Sequence, residues 1–204
     1  MSTGASEALA RPDTPSAGPR GAPVHIETNG YVLRSLSPAD VTPRFAAWLN
    51  DAPLRDGLNL PPLDFSLERL RAFVASFNDL HHYFVGIFDR DQGALAGFYT
   101  LDVDLNHKVG NITTGLDPAF ADRPVQAATI DAFLDHMFAF RDVDKIIARV
   151  LAGNRAMVEK LDASPRFHFE ARLRQECLTA SGERLDLMLF AAFRTEPKED
   201  GTAL

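Results

Sequence analysis

The 204-residue chain has a single cysteine, Cys177, so it cannot close an internal disulfide. A lone thiol suits a reducing compartment, and a cytoplasmic setting is expected. Cys177 lies in a strand-like segment and reads as a buried, inert thiol rather than a nucleophile. No apolar run approaches the ~18 residues of a membrane span. The N-terminus also lacks the apolar core of a secretory signal, so no membrane partner is expected. Positive charge is scarce: 21 Lys and Arg stand against 28 Asp and Glu, a formal net charge of −7. That balance argues against a general nucleic-acid binder, whose footprint is basic. It leaves small anionic ligands open, because local geometry holds those.

The remaining composition, 46% hydrophobic and 24% charged, is that of an ordinary globular domain. Residues 1–24 are rich in Ser, Ala, Gly and Pro and read as a disordered or loosely attached tail. Residues 195–204 read as a short polar tail, which leaves one domain over residues 25–194. A monomer or homodimer is expected.

Local signals place the elements. A strand covers Tyr31 to Leu36. Ser37 as cap, Pro38 in the first turn and Asp40 three residues on predict a helix running to about Asn50. Asp51 to Pro62, with three prolines and a glycine, reads as a loop. Ser66 then caps a helix whose Leu67, Leu70, Phe73, Val74 and Phe77 share a face. Strands Tyr83–Phe88 and Ala94–Val103 flank a turn at Asp89 to Gly93, and Val109–Leu116 is a third. A long helix starts near Pro124, with Ile130, Phe133, Leu134, Met137 and Phe138 inward. Asp144–Leu151 reads as a buried strand, Asn154–Asp162 as a short helix, and Phe167–Thr179 with Arg184–Phe193 as a closing hairpin. This order predicts a mixed α/β (α+β) domain with a mostly antiparallel sheet. The two strands joined by the long helix run parallel.

The segment from Gly110 to Met137 carries the most information. A strand feeds a loop opening with Asp117-Pro118, which feeds a helix. Free N–H groups and the helix dipole converge at such a junction, and many proteins hold phosphate there. The glycines that usually let backbone approach a phosphate are missing: residues 121–126 read Ala-Asp-Arg-Pro-Val-Gln. Pro124 also removes one donor, although Val125, Gln126 and Ala127 still carry amides.

These segments together resemble the GNAT superfamily of acyl-CoA-dependent N-acyltransferases. The likeness is greatest to the branch that acetylates N-terminal amines of ribosomal proteins and to its spermidine-acetylating relatives. YVLRSLSPADVTPRFAAWLND looks like that branch's first strand and helix, and Leu95-Ala96-Gly97-Phe98 like its "IGF" strand. GNITTGLDPAF looks like its "EIGYWLDPEY" segment, Asn154-Arg155-Ala156-Met157 with Leu161 like its "NxxS…L" helix, and SGERLDLMLFAAF like its closing strand. The likeness covers roughly residues 30–194. It implies a GNAT fold of six or seven strands, with strands 109–116 and 144–151 splaying apart.

The resemblance also implies site roles. Acetyl-CoA or another acyl-CoA would be the co-substrate. The Leu116 amide would hold the thioester carbonyl, Arg123, Val125, Gln126 and Ala127 would contact phosphate, and Asn154 would lie beside the pantetheine arm. Thr113, Thr114 and His82 would face the acceptor, an amine on a small molecule or a peptide. Loop 51–62 and the helix after it would form one wall, and Phe65, Phe73, Phe77 and Phe98 would line an apolar pocket. The acidic balance leans toward a cationic acceptor. Asn111 stands where the branch often has a glutamate, and an amide cannot take a proton. His81, His82 and His107 are the other base candidates, with His107 expected close to the cleft. Asn111 and His107 are therefore the catalytic candidates. No tyrosine follows the last short helix to serve as general acid. Asp102, Asp104 and His107 read as a solvated strand end rather than a metal site. These departures keep a second class open: a GNAT-fold binding or regulatory protein without acyl transfer.

Overall fold

Alternation along each strand sorts side chains onto the two faces of one sheet. The computed structural model describes residues 18–60, 66–179 and 181–194. The strands are β1 (His25–Glu27), β2 (Tyr31–Ser35), β3 (His82–Asp89), β4 (Leu95–Asp104), β5 (Val109–Leu116), β6 (Lys145–Leu151), β7 (His168–Leu178) and β8 (Arg184–Phe193). The helices are α1 (Pro43–Leu49), α2 (Ala52–Gly57), α3 (Leu67–Ala75), α4 (Val125–Phe140) and α5 (Arg155–Asp162). The sheet order is β1-β2-β3-β4-β5-β6-β8-β7. Among the described residues, only β5 and β6 pair in parallel, as a crossover through α4 requires.

One face packs Tyr83, Val85, Ile87, Tyr99 and Leu101 against Phe133, Leu134 and Met137 of α4, with Val158 and Leu161 of α5 alongside. The other packs Phe84 and Phe98 against Phe45, Trp48 and Leu49 of α1 and Leu70, Phe73 and Val74 of α3. Ser66 caps α3 by accepting the Arg69 N–H at 3.2 Å, and Asn154 caps α5 by accepting that of Met157 at 3.3 Å.

Three expectations change. The helix predicted from Ser37 is interrupted: a single 3-10 turn covers Pro38–Asp40, and α1 begins only at Pro43. A residue before proline is pushed out of the helical region, and Thr42 is extended (φ −108, ψ 159), capping α1 through its hydroxyl. The loop expected over 51–62 contains α2, with Pro53 in its first turn, where proline's missing N–H costs nothing. Pro61, Pro62 and Phe65 lie outside the described residues. Pro124 caps α4 (φ −78, ψ 45), so that helix starts where expected. The sheet has eight strands because β1 joins its edge. Residues 1–17 and 195–204 of the expected tails lie outside the described residues. From Arg20 the chain is tied to the body, through Arg20 to the Phe77 carbonyl, Gly21 to that of Asn78 and the buried Val24.

The β5–β6 pairing decides where a site can form. It lasts four residue pairs, Val109–Ile112 with Lys145–Ala148. Beyond it, Arg149–Leu151 pairs only with β8, and Thr113–Leu116 keeps only β4 as neighbour. The strands part, and a gap opens at the C-terminal half of β5.

Candidate active site

Register shows what faces the gap. The Asp117 N–H bonds the Ala96 carbonyl at 2.9 Å, across the pair that follows Gly97–Leu116. Amides in an antiparallel strand alternate between its two sides, so the amides of Leu116 and Thr114 point away from β4 into the gap. A buried strut holds the start of α4 beside them. The Thr129 hydroxyl donates to the Val125 carbonyl at 2.7 Å, so the 2.9 Å contact with Tyr99 has the phenol as donor. Burial pushes the Tyr99 phenol far above its ordinary range, with the Thr129 bond opposing, and it stays a neutral donor.

The predicted phosphate contacts divide. The Val125 amide bonds the Arg123 carbonyl at 2.8 Å and is no free donor; this corrects its assigned role. Arg123 is also engaged elsewhere. Its guanidinium meets Asp89 at 2.7 Å and lies over the rings of Phe120 and Tyr31 at 5.1 and 5.7 Å. Bonds from the Gln92 amide, and then Arg123, hold the Asp89 carboxyl below its usual range. Among the described residues, the amides of Gln126 and Ala127 have no hydrogen-bond partner. The Gln126 side chain donates to Thr114 Oγ1 at 3.0 Å, and its Oε1 is 3.5 Å from Lys160 Nζ on α5. It therefore reaches across the mouth of the gap. Asn154 spends its side-chain oxygen on the cap, and a Cβ on Gly57 would stand 3.2 Å from its Nδ2. That approach brings α2 to the gap's edge.

The acceptor-side residues separate as well. Asn111 and Thr113 share the α1 face, paired across β4 with Asp102 and Thr100. Thr114 points to the α4 face and donates to the Phe98 carbonyl at 3.1 Å. His82 pairs with Asp102 in the next strand, so His82, Asp102 and Asn111 form one row. The His82 Nδ1–Asp102 Oδ1 distance is 2.6 Å. Asn78 Oδ1 accepts the N–H groups of Leu80, His81 and His82 at 3.0, 3.0 and 3.1 Å, which fixes the start of β3. His107 is placed elsewhere. It is exposed in the β4–β5 turn, its amide bonded to Asp104, at the end of β5 opposite Leu116. Its expected closeness to the cleft is corrected. Asp104 spends its carboxylate on that turn. Cys177 is only half-buried, on the edge strand β7, and burial raises its thiol pKa, with Arg149 opposing. Among the described residues, no three His, Cys, Asp or Glu side chains converge as a metal would need.

Sequence reasoning did not find Lys160 at the gap or Arg44, whose guanidinium grips Asp117 at 2.8 Å. Each lies at a position that the family resemblance assigns no role, and each acts through a partner far along the chain.

Comparisons with known proteins bear on the fold and the family. A family model for the acetyltransferase (GNAT) domain matches residues 31–162, more than half of the chain. A solved acetyltransferase from Salmonella typhimurium, described as modifying the N-terminal serine of ribosomal protein L7/L12, is 20% identical with a TM-score of 0.72. That match covers 83% of this chain and 99% of the other. Spermidine N-acetyltransferase from Vibrio cholerae, solved with CoA and spermine, is 20% identical with a TM-score of 0.71, covering 81% and 96%. A GNAT-family acetyltransferase from Bacillus anthracis is 15% identical with a TM-score of 0.70, covering 85% and 100%. At such identities the likeness to solved structures is one of fold. No curated protein sequence matches the chain. With the family model spanning β2 through α5, the chain belongs to the GNAT acetyltransferase family.

Proposed function

We propose that the protein is an N-acyltransferase that moves an acetyl or other acyl group from acyl-CoA to an amine. One observation carries this reading: the Leu116 amide points into the gap between β5 and β6, beside the first turn of α4. A backbone N–H fixed there hydrogen-bonds a thioester carbonyl oxygen more strongly as negative charge develops on it. The residues present fit the co-substrate, with fewer donors than a glycine loop offers. Gln126 and Ala127 supply two open amides at the positive end of α4, and Lys160 supplies a cation. Gln126 must swing its side chain off Thr114 to admit a pantetheine arm, and Asn154 lines that path.

Acyl-CoA supplies an activated thioester. The chain supplies position and a route for the proton. The acceptor enters on the α1 face, along the wall formed by α2 and α3. Asn111 and Thr113 hydrogen-bond it there, and Asn111 cannot take its proton. His82 is the base. Its Nδ1 faces Asp102, which orients the ring, and the proton reaches the imidazole through water. His107 plays no part. As the amine attacks the carbonyl carbon, the C–S bond breaks. The amine's proton reaches His82, and the thiol leaves as thiolate or takes a proton from water.

Calorimetry with acetyl-CoA and longer acyl-CoAs tests the reading. Saturable binding that weakens when Lys160 is changed to Gln supports it. Absence of binding at high micromolar acyl-CoA, with the wild-type fold intact, would return the protein to the class of non-catalytic binding modules.

A further inference from the structure

The α1 face carries a cleft that the transfer site alone does not use. It has a volume of about 720 Å³ and lies between α1, the β3–β4 hairpin and the loop after β5. Trp48, Phe88 and Phe120 give it an apolar lining, and Arg34, Arg44 and Arg123 give it three guanidiniums.

Each arginine is matched by an aspartate, but not symmetrically. Arg34 is closed: both terminal nitrogens meet Asp40 at 2.9 and 2.5 Å, and it lies 4.0 Å over the Phe88 ring. The other two pairs are stacked in depth. Arg44 binds Asp117 through Nε and Nη2, with side-chain exposures of 64% and 5% respectively. Arg123 meets Asp89 with exposures of 42% and 2%. The carboxylates stand behind, and the guanidinium edges stand in front. Among the described residues, Nη1 of Arg44 and of Arg123 has no hydrogen-bond partner. Two guanidiniums already fixed by buried carboxylates present a preorganised donor edge, and little entropy remains to be lost when an anion docks.

The cleft also borders the end of β5 that carries Leu116, through Ala119 and Phe120 of the loop that follows it. Trp48 stacks on Phe98 at 5.8 Å. The Phe98 ring fills the space that a Cβ on Gly115 would need, 2.4 Å away. Asp117, the anchor of Arg44, directly follows Leu116. We infer that the cleft seats a carboxylate borne by the acceptor, so that the acceptor class is a small amine with a carboxylate and an apolar or aromatic body. This rests on the acyl-transfer reading and reverses the cationic preference that net charge suggested. Net charge sums over the whole surface, whereas the cleft shows only the guanidinium side of two pairs.

Trp48 is the chain's only tryptophan, so its fluorescence reports on the cleft without any turnover. The full chain is titrated with phenylalanine, 3-phenylpropionate, phenylalaninamide and phenethylamine. The first two should shift Trp48 emission saturably, with Kd lower by about tenfold or more, the scale of one charge-assisted hydrogen bond. With acetyl-CoA present, phenylalanine should be acetylated in preference to phenylalaninamide by a similar factor in kcat/KM. Arg44→Gln leaves Asp117 buried without its cation, so Arg44→Gln combined with Asp117→Asn is the companion variant. Either should erase the carboxylate preference and change acetyl-CoA affinity by less than about twofold. Acetylation of phenethylamine and phenylalaninamide with no response to 3-phenylpropionate would overturn the inference and leave acyl transfer standing. Binding of 3-phenylpropionate that needs Arg44, in a protein that neither binds nor consumes acetyl-CoA, would uphold the carboxylate seat and overturn the acyl-transfer reading. An unchanged preference in both Arg44 variants would overturn the seat itself.

Discussion

The two sides of β5 use their polar groups in opposite ways. On the α4 side they are spent on one another. Val125 donates to Arg123, Gln126 reaches Thr114 and approaches Lys160, and Thr129 ties Val125 to Tyr99. On the α1 side, Arg44 is braced from behind by the buried Asp117, and His82 is braced by Asp102. In the first pattern, a ligand entering the gap would have to displace the Gln126 side chain from Thr114. The second is a set of side chains held ready. Under the proposed acyl transfer, the α4 side would take the co-substrate and the α1 side the acceptor, so substitutions on the two sides should act on different constants.

The largest effect is expected where the two sides share a support. Phe98 is fully buried between Trp48, Phe84 and Gly115. Phe98→Ala should cost about 3–5 kcal/mol, measured by urea unfolding, because it opens a cavity in a packed core. A loss below about 1 kcal/mol would show that the acceptor face collapses easily and is not a preformed wall.

The next effect separates chemistry from binding. His82→Gln should lower kcat about a hundredfold, the scale of general-base catalysis, with acetyl-CoA affinity unchanged by calorimetry. Asp102→Asn should lower kcat less, since it misorients the ring without removing it. If kcat survives His82→Gln and falls in His107→Gln, the assignment of sides is wrong.

A smaller effect tests the Gln126 displacement. Gln126→Ala removes the side chain across the gap and keeps helix propensity. Acetyl-CoA should bind about three- to tenfold more tightly, within ~1.4 kcal/mol, with acceptor KM unaltered. Weaker binding would mean that the Gln126 side chain is itself a ligand contact.

The smallest effect lies farther along α4. Burial, and then Arg141, lowers the pKa of His136, whose Nε2 is buried without a partner among the described residues. A histidine with a depressed folded pKa contributes stability that is present above its unfolded value of ~6.5 and is lost as pH falls through the folded one. The urea midpoint of the wild type should therefore decline between pH 7 and pH 5 more steeply than that of His136→Leu. Parallel declines would assign the loss to other groups.

Much of this organisation could be read locally. β5 occupies Val109–Leu116 as predicted, because alternation and flanking turn residues act over a few positions. Ser66 caps its helix as expected, and Asn154 opens the short helix expected there, since a cap needs only a side chain and an amide three residues on. The misreadings share a cause. Pro43 breaks a run whose pattern is otherwise helical, and Pro53 sits inside a helix although it signals a loop, because proline both ends one helix and opens the next.

Sequence alone determined the order of elements, the crossover that makes β5 and β6 parallel, and the absence of glycine from the loop after β5. Each follows from residues close together in the chain. Only tertiary structure decided which donors remain open. Arg44 meets Asp117 across 73 positions, His82 meets Asp102 across 20, and Gln126 approaches Lys160 across 34. Those encounters depend on strand register and on the angle at which helices cross the sheet, quantities set by the packing of the whole core rather than by any local signal.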